Sequence, residues 1–202
     1  MVGGERDLDD WESIISDSLA SSVDHEQVEP YDFNNLPFYA CSYCGIHDPE
    51  TVVKCIAKGC EKWFCNGKGT NEYGSHIILH MVKARHKEIA IHPESHLRDT
   101  TIECYQCSSK NLFLLGFVSA KQDTVIMILC REPCLSQLGL KDSKWDTDNW
   151  HALIENKALL NWMVRYPTEI EFKRSRQINS AEINKLEELW KEKPTAQIAD
   201  LS

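Results

Sequence analysis

The 202-residue chain lacks a long apolar run, a basic leader, a phosphate loop and any surplus of positive charge. Its longest apolar stretch, Leu112 to Val118, is far shorter than the roughly 20 residues a bilayer span requires, so no membrane association is expected. The first residues are acidic where a secretory signal is basic. That points to a reducing, cytoplasmic setting, in which nine cysteines read as metal ligands rather than disulfides. No G-x-x-x-x-G-K-[ST] motif occurs, so this chain is not expected to be an enzyme driven by ATP. Ten acidic residues and one arginine in 1–35 account for the whole net charge of −9, while 36–202 hold twenty-one charges of each sign. A free-standing nucleic-acid binder usually carries the positive surplus missing here.

What is present divides into three zones. Residues 1–38 form an acidic tail expected to be disordered, although Trp11, Ile14, Ile15 and Leu19 fall near helical spacing. Residues 39–166 form a cysteine- and histidine-rich domain, with every cysteine between positions 41 and 134. Residues 167–202 are expected to be a helical segment. A helix is also predicted over Asn149 to Tyr166, where Trp150, Leu153, Ile154, Leu160, Trp162 and Val164 make a broad apolar face before Pro167. Capping boxes at Thr168/Glu171 and Asn179/Glu182 predict two further helix starts. The second of these helices carries Ile183, Leu186, Leu189 and Trp190 and ends near Pro194.

The potential ligands come in pairs: Cys41 and Cys44, Cys55 and Cys60, then Cys65, His76, His80 and His86, then Cys104, Cys107, Cys130 and Cys134. Structural zinc takes four nitrogen or sulfur ligands, so these twelve groups fill three closed sites with none left over. A disulfide framework would leave one cysteine unpaired. A catalytic site would keep a position open for water, which complete use of the ligands does not allow.

The last four cysteines are simplest. Asn111–Val118 and Thr124–Leu129 read as strands of a hairpin, pinned at its open end by two cysteine turns, a zinc-ribbon-like arrangement. The first eight ligands leave alternatives open. His76 and His80, four apart, project from one helix face and would serve a single ion, or the ligand pairs interleave in a RING-like cross-brace.

The segments ACSYCGIHDP, KWFCNGKG, GSHIILH, ECYQC, NLFLLGFVSAK, LCREPC, WDTDNW and INKLEELW closely resemble the cysteine- and histidine-rich zinc domain of the regulator of nonsense transcripts 1 family, the up-frameshift RNA helicases of nonsense-mediated mRNA decay. The resemblance covers about residues 37–193. It implies one zinc on Cys41, Cys44, Cys65 and His76, a second on Cys55, Cys60, His80 and His86, and a third on Cys104, Cys107, Cys130 and Cys134. It departs at the second set, where relatives can have serine for Cys60 and cysteine for His86, and where the loop between Cys55 and Cys60 is longer. It also implies a docking and regulatory domain that binds the second up-frameshift protein and packs on its own helicase core, through which RNA is mainly contacted. The chain then reads as an amino-terminal part of a longer helicase.

The expected architecture is a small zinc-stabilised α+β domain with a RING-like cross-braced module, a zinc-ribbon-like β module and carboxy-terminal helices. Cores this small need such staples. The leading function is protein docking: the strand Asn111–Val118 is apolar on both faces, and a small zinc-held unit is expected to bury one and leave the other open to a partner. The resemblance selects Phe113 and, on the facing strand, Val125 as contact residues. A ubiquitin ligase is the alternative, with Ile46 and Trp63 as the grip on a conjugating enzyme. A second alternative is zinc-dependent RNA binding through Lys54, Lys58, Lys62 and Lys68. Against it, residues 41–134 hold eleven basic and ten acidic groups, and nine thiolates with three divalent ions bring their sum to about −2. His25, His92, His96 and His151 are expected to be exposed or locally hydrogen-bonded, and His47 to serve loop structure.

Overall fold

The computed structural model describes residues 27–69, 73–139 and 144–201. The acidic segment carrying Trp11 to Leu19, and His25, lie outside the described residues. The rest is an α+β fold of small antiparallel sheets and short helices.

The first module is built on β1 (Val52–Cys55), β2 (Trp63–Cys65) and β3 (Ile89–Ile91), in the order β2-β1-β3. Val52 faces Cys65 and Val53 faces Ile91 across the ladders, so β-branched side chains fill the middle of the sheet. Helix α1 (His76–Ala84) packs on it. The Ser75 hydroxyl accepts from the Ile78 N–H at its start, and Arg85, at φ 58°, ends it in the left-handed conformation. All of His76 to Met81 is buried, so this helix is core on nearly every side.

The second module holds β4 (Leu115–Ser119) between β5 (Ile126–Cys130) and β6 (His151–Ala152). Leu115 pairs with Cys130 and Ser119 with Ile126. The predicted strand starts later than its apolar run, because Leu112–Leu114 forms a 3-10 turn with the Asn111 carboxamide oxygen accepting from the Phe113 N–H. Neither face of β4 is open. Leu115 and Val118 are buried, Phe117 meets the Trp162 ring at 5.2 Å, and Trp150 lies across Gly116 while its indole N–H donates to the Leu129 carbonyl at 3.1 Å. A short helix α2 (Ser136–Gly139) follows the turn after β5.

The helix predicted over Asn149 to Tyr166 does not form. That segment instead makes β6 and a hairpin of β7 (Ile154–Glu155) and β8 (Ala158–Leu159). Asn156 and Lys157 both take positive φ, 49° and 60°, which a two-residue hairpin turn of this twist needs and a helix forbids. Of the six residues of the expected apolar face, Leu153 and Val164 are buried, Trp150, Ile154 and Leu160 are partly so, and Trp162 is exposed at 41%; Leu159 and Met163 join the core instead.

Both capping boxes are present, opening α3 (Glu169–Arg174) and α4 (Ser180–Glu192). Helix α4 returns to the first module, where Trp190 stacks on Tyr43 at 5.7 Å. Asn66, buried beside Cys65, fastens the hairpin to the same module. Its amide donates to the Leu159 and Val164 carbonyls at 2.8 Å each, and its oxygen accepts from the Leu159 N–H at 2.9 Å.

Candidate metal centres

The structure gathers the twelve residues into three quartets: Cys41, Cys44, Cys65 and His76; Cys55, Cys60, His80 and His86; Cys104, Cys107, Cys130 and Cys134. Within each, the ligand atoms all lie within 4.8 Å of one another.

In the first centre Cys41 and Cys44 come from a tight turn closed by the Gly45 N–H donating to the Cys41 carbonyl at 2.9 Å. Cys65 ends β2 and His76 begins α1, and all four residues are buried. In the second, Cys55 ends β1, Cys60 sits in the following loop, His80 lies one turn along α1 and His86 comes just after its end. The two histidines of the helix are therefore split between neighbouring centres: His76 offers Nδ1 to the first and His80 offers Nε2 to the second. Chain order alternates between the centres, which is the cross-braced arrangement. In the third, Cys104 and Cys107 lie in one turn, Cys130 ends β5 and Cys134 follows it, so the ligands close the open end of the hairpin. Cys107 alone of these four is exposed.

Spacing tests whether these quartets fit zinc. With Zn–S near 2.3 Å and Zn–N near 2.0–2.1 Å, tetrahedral ligand atoms stand about 3.3–3.8 Å apart. Cys44 and Cys65 Sγ are 3.7 Å apart, and His76 Nδ1 is 3.5 and 3.4 Å from Cys41 and Cys65 Sγ. In the second centre Cys55 Sγ lies 3.2 Å from His86 Nδ1, Cys60 Sγ 3.3 Å from His80 Nε2, and the two nitrogens 3.2 Å apart. Cys107 and Cys130 Sγ are 3.8 Å apart. These separations match tetrahedral edges and are much longer than a disulfide. The donor set fits zinc.

Electrostatics agree. Burial pushes the Cys44 and Cys65 thiols well up, while Cys41, against the same burial, is held well down by hydrogen bonds from both and by His76. In the second centre a hydrogen bond from Cys55 brings Cys60 down to about 3, and Cys55 rises in return. In the third, Cys104 falls to about 7, against burial, through backbone and Cys107 hydrogen bonds, whereas burial first and then the neighbouring thiols raise Cys130 and Cys134 to about 12. A divalent cation at each quartet would favour the thiolate form of its cysteines.

Around the centres lie residues that the spacing did not single out. Glu187, on α4, is buried and accepts from the Tyr43 hydroxyl and from His80 Nδ1, the latter at 2.7 Å. Phe64 stacks on the His80 ring at 4.1 Å. The sequence held one signal for Glu187: a carboxylate on the stripe of Ile183, Leu186 and Trp190. His47 Nδ1 donates to the Gly45 carbonyl, 2.7 Å away, within its loop. His92 accepts from the Glu94 N–H, His96 pairs with Glu50, and His151 is exposed.

Phe113 and Val125 are both exposed, at 43% and 55%, but neither lies in a strand. Phe113 belongs to the 3-10 turn before β4, and Val125 precedes β5, with its carbonyl accepting from the Ala120 N–H. They stand at opposite ends of the hairpin. The expectation of an apolar strand with one open face is thereby corrected: β4 is central, and exposure has moved to its ends. Val125 lines an apolar cleft with Tyr105, Ile126 and Trp162. Ile46 and Trp63, the grip of the ligase alternative, are both buried. Of the lysine run, Lys54 pairs with Glu61, and Lys62 bonds the Pro194 carbonyl and lies 4.9 Å over the Trp190 ring. Among the described residues no helix is long and apolar enough to cross a membrane.

A family model described as RNA helicase (UPF2 interacting domain) matches residues 39–193. Over 172 residues, 85% of its length, the chain is 52% identical to a regulator of nonsense transcripts 1 homolog of Neurospora crassa. It is 49% identical over 94% of its length to the homolog of Drosophila melanogaster, and 47% identical over 80% to the ATP-dependent helicase NAM7 of Saccharomyces cerevisiae. In each case the match spans 16% of the relative's own length. With its three cysteine and histidine clusters, the chain belongs to the UPF1 zinc-binding, UPF2-interacting domain family of the regulators of nonsense transcripts.

Proposed function

We propose that this chain is the docking and regulatory domain of an ATP-dependent RNA helicase of nonsense-mediated mRNA decay, working in the cytoplasm. Three structural zinc ions hold it, one per quartet. Its partner is the second up-frameshift protein, and residues 167–202 lead toward a helicase core that it packs on and that carries the ATP and RNA chemistry. The domain itself contributes recognition. The observation that carries this reading is the match of residues 39–193 to a UPF2-interacting domain, joined to exposed apolar side chains at both ends of the β4–β5 hairpin. Zinc supplies rigidity here, since four protein ligands at each ion leave no position for a reacting water.

Neither alternative has comparable support: the ligase grip is buried, and lysines of the basic run are engaged locally. Exposed anchors allow a clean test. Truncating an interface anchor costs about 2 kcal/mol or more, roughly a thirtyfold loss of affinity. Phe113→Glu and Val125→Glu should each weaken binding to the carboxy-terminal region of the second up-frameshift protein by at least that factor, as measured by titration calorimetry. Zinc content and melting temperature should stay close to those of the parent. Parental affinity in both variants would move the docking surface elsewhere.

A further inference from the structure

The Tyr43–Glu187–His80 cluster joins three parts of the molecule. Tyr43 lies in the turn between Cys41 and Cys44, His80 is a residue of the second quartet, and Glu187 comes from α4, more than a hundred residues later. All three are buried. His80 turns Nε2 toward Cys60 and His86, so its proton resides on Nδ1 and is donated to the Glu187 carboxylate. A carboxylate behind a ligating imidazole fixes both tautomer and ring orientation. Phe64, stacked on the ring, removes the remaining rotational freedom. A buried carboxylate is costly unless it is hydrogen-bonded, and here both partners converge on one oxygen, Glu187 Oε1.

We infer that Glu187 is a positioning residue for the second metal centre, and that through it the docking of α4 and the occupancy of that centre are thermodynamically coupled. Coupling of this kind is reciprocal: metal at the centre favours the docked helix, and the docked helix tightens the metal. The inference rests on the zinc reading above.

The test uses the full chain loaded with zinc. Parent, Glu187→Gln and Glu187→Met are titrated with a chromogenic chelator, while imidazole NMR follows His80 and His86 and hydrogen exchange follows residues 180–192. Loss of such a partner typically weakens a metal site about 10- to 100-fold. The expected order of affinity at the second centre is parent, then Glu187→Gln, then Glu187→Met, with the other two zinc ions unaffected. The Nδ1–H signal of His80 should be present in the parent and lost to solvent exchange in Glu187→Met. Zinc removal from the parent should lower protection across 180–192. Glu187→Gln keeps shape and volume, which guards against a variant that fails to fold. Parental zinc affinity at the second centre in both variants, whatever happens to α4, would overturn the inference and leave Glu187 a packing residue. If the parent itself holds only two zinc ions and His80 and His86 ignore zinc, the metal reading of that centre fails instead.

Discussion

At Gly116 a Cβ would stand 2.3 Å from the Trp150 ring and 2.4 Å from the His151 carbonyl. Neither atom is the end of a flexible side chain, so Gly116→Ala forces β6 away from β4. Overpacking of this kind typically costs about 1–3 kcal/mol, and the variant should melt at a correspondingly lower temperature with its zinc retained. Such residues were poorly legible in advance. The twelve ligands stood out because zinc needs few residue types at short spacings, and their number divides evenly into closed sites. Asn66 and Glu187 are ordinary polar residues whose meaning lies in partners about a hundred positions away. Nothing in their own neighbourhoods shows that Asn66 will satisfy three backbone groups, or that Glu187 will meet a histidine.

Helix starts were legible because a capping box is a local device: four residues contain both its hydrogen bonds. At α3 the box is reinforced by Arg165, which donates to both Glu171 oxygens at 3.0 and 2.9 Å. Burial opposes it, yet this guanidinium and the Thr168 N–H hold the Glu171 carboxyl below its ordinary 4.5. A carboxyl depressed on folding adds stability that is fully present above its ordinary value and is lost as pH falls through the depressed one. Glu171→Gln should therefore lower stability at neutral pH and flatten the acid side of the stability-against-pH curve. The difference from the parent should be about 1 kcal/mol or less for a part-buried pair, read by urea unfolding at several pH values. The segment Asn149 to Tyr166 misled for the opposite reason. Its apolar residues recur at intervals that suit a helix, but the same residues serve a hairpin core, and Asn156-Lys157 decides between them by its backbone conformation. Asn takes positive φ readily, whereas Lys is held there by the ladder on either side.

For the whole molecule, the zinc reading predicts three ions per purified chain, counted by elemental analysis. Their removal should unfold both modules, because structural zinc contributes on the order of 10–16 kcal/mol apparent per site in small peptides. The modules should respond differently to damage. The first two centres share α1 and draw on the paired strands β1 and β2, so Cys44→Ser should loosen the second centre as well as the first. Cys107→Ser should release one ion, since the third centre draws only on the β4–β5 hairpin and its flanking turns. Metal counts on the two variants, each expected to differ from the parent in this way, check the division. By itself the sequence determined the ligand inventory, the zinc-ribbon-like hairpin, the two capped helices and the family, all of which are matters of residue type and short spacing. Spacing left open whether His76 and His80 share a centre, and the resemblance separated them. Tertiary structure alone decided that Phe113 and Val125 stand at opposite ends of a hairpin whose central strand is covered, and that α4 returns to place Glu187 behind His80. These depend on contacts between segments far apart in the chain, and packing in three dimensions, which no local pattern encodes, sets them.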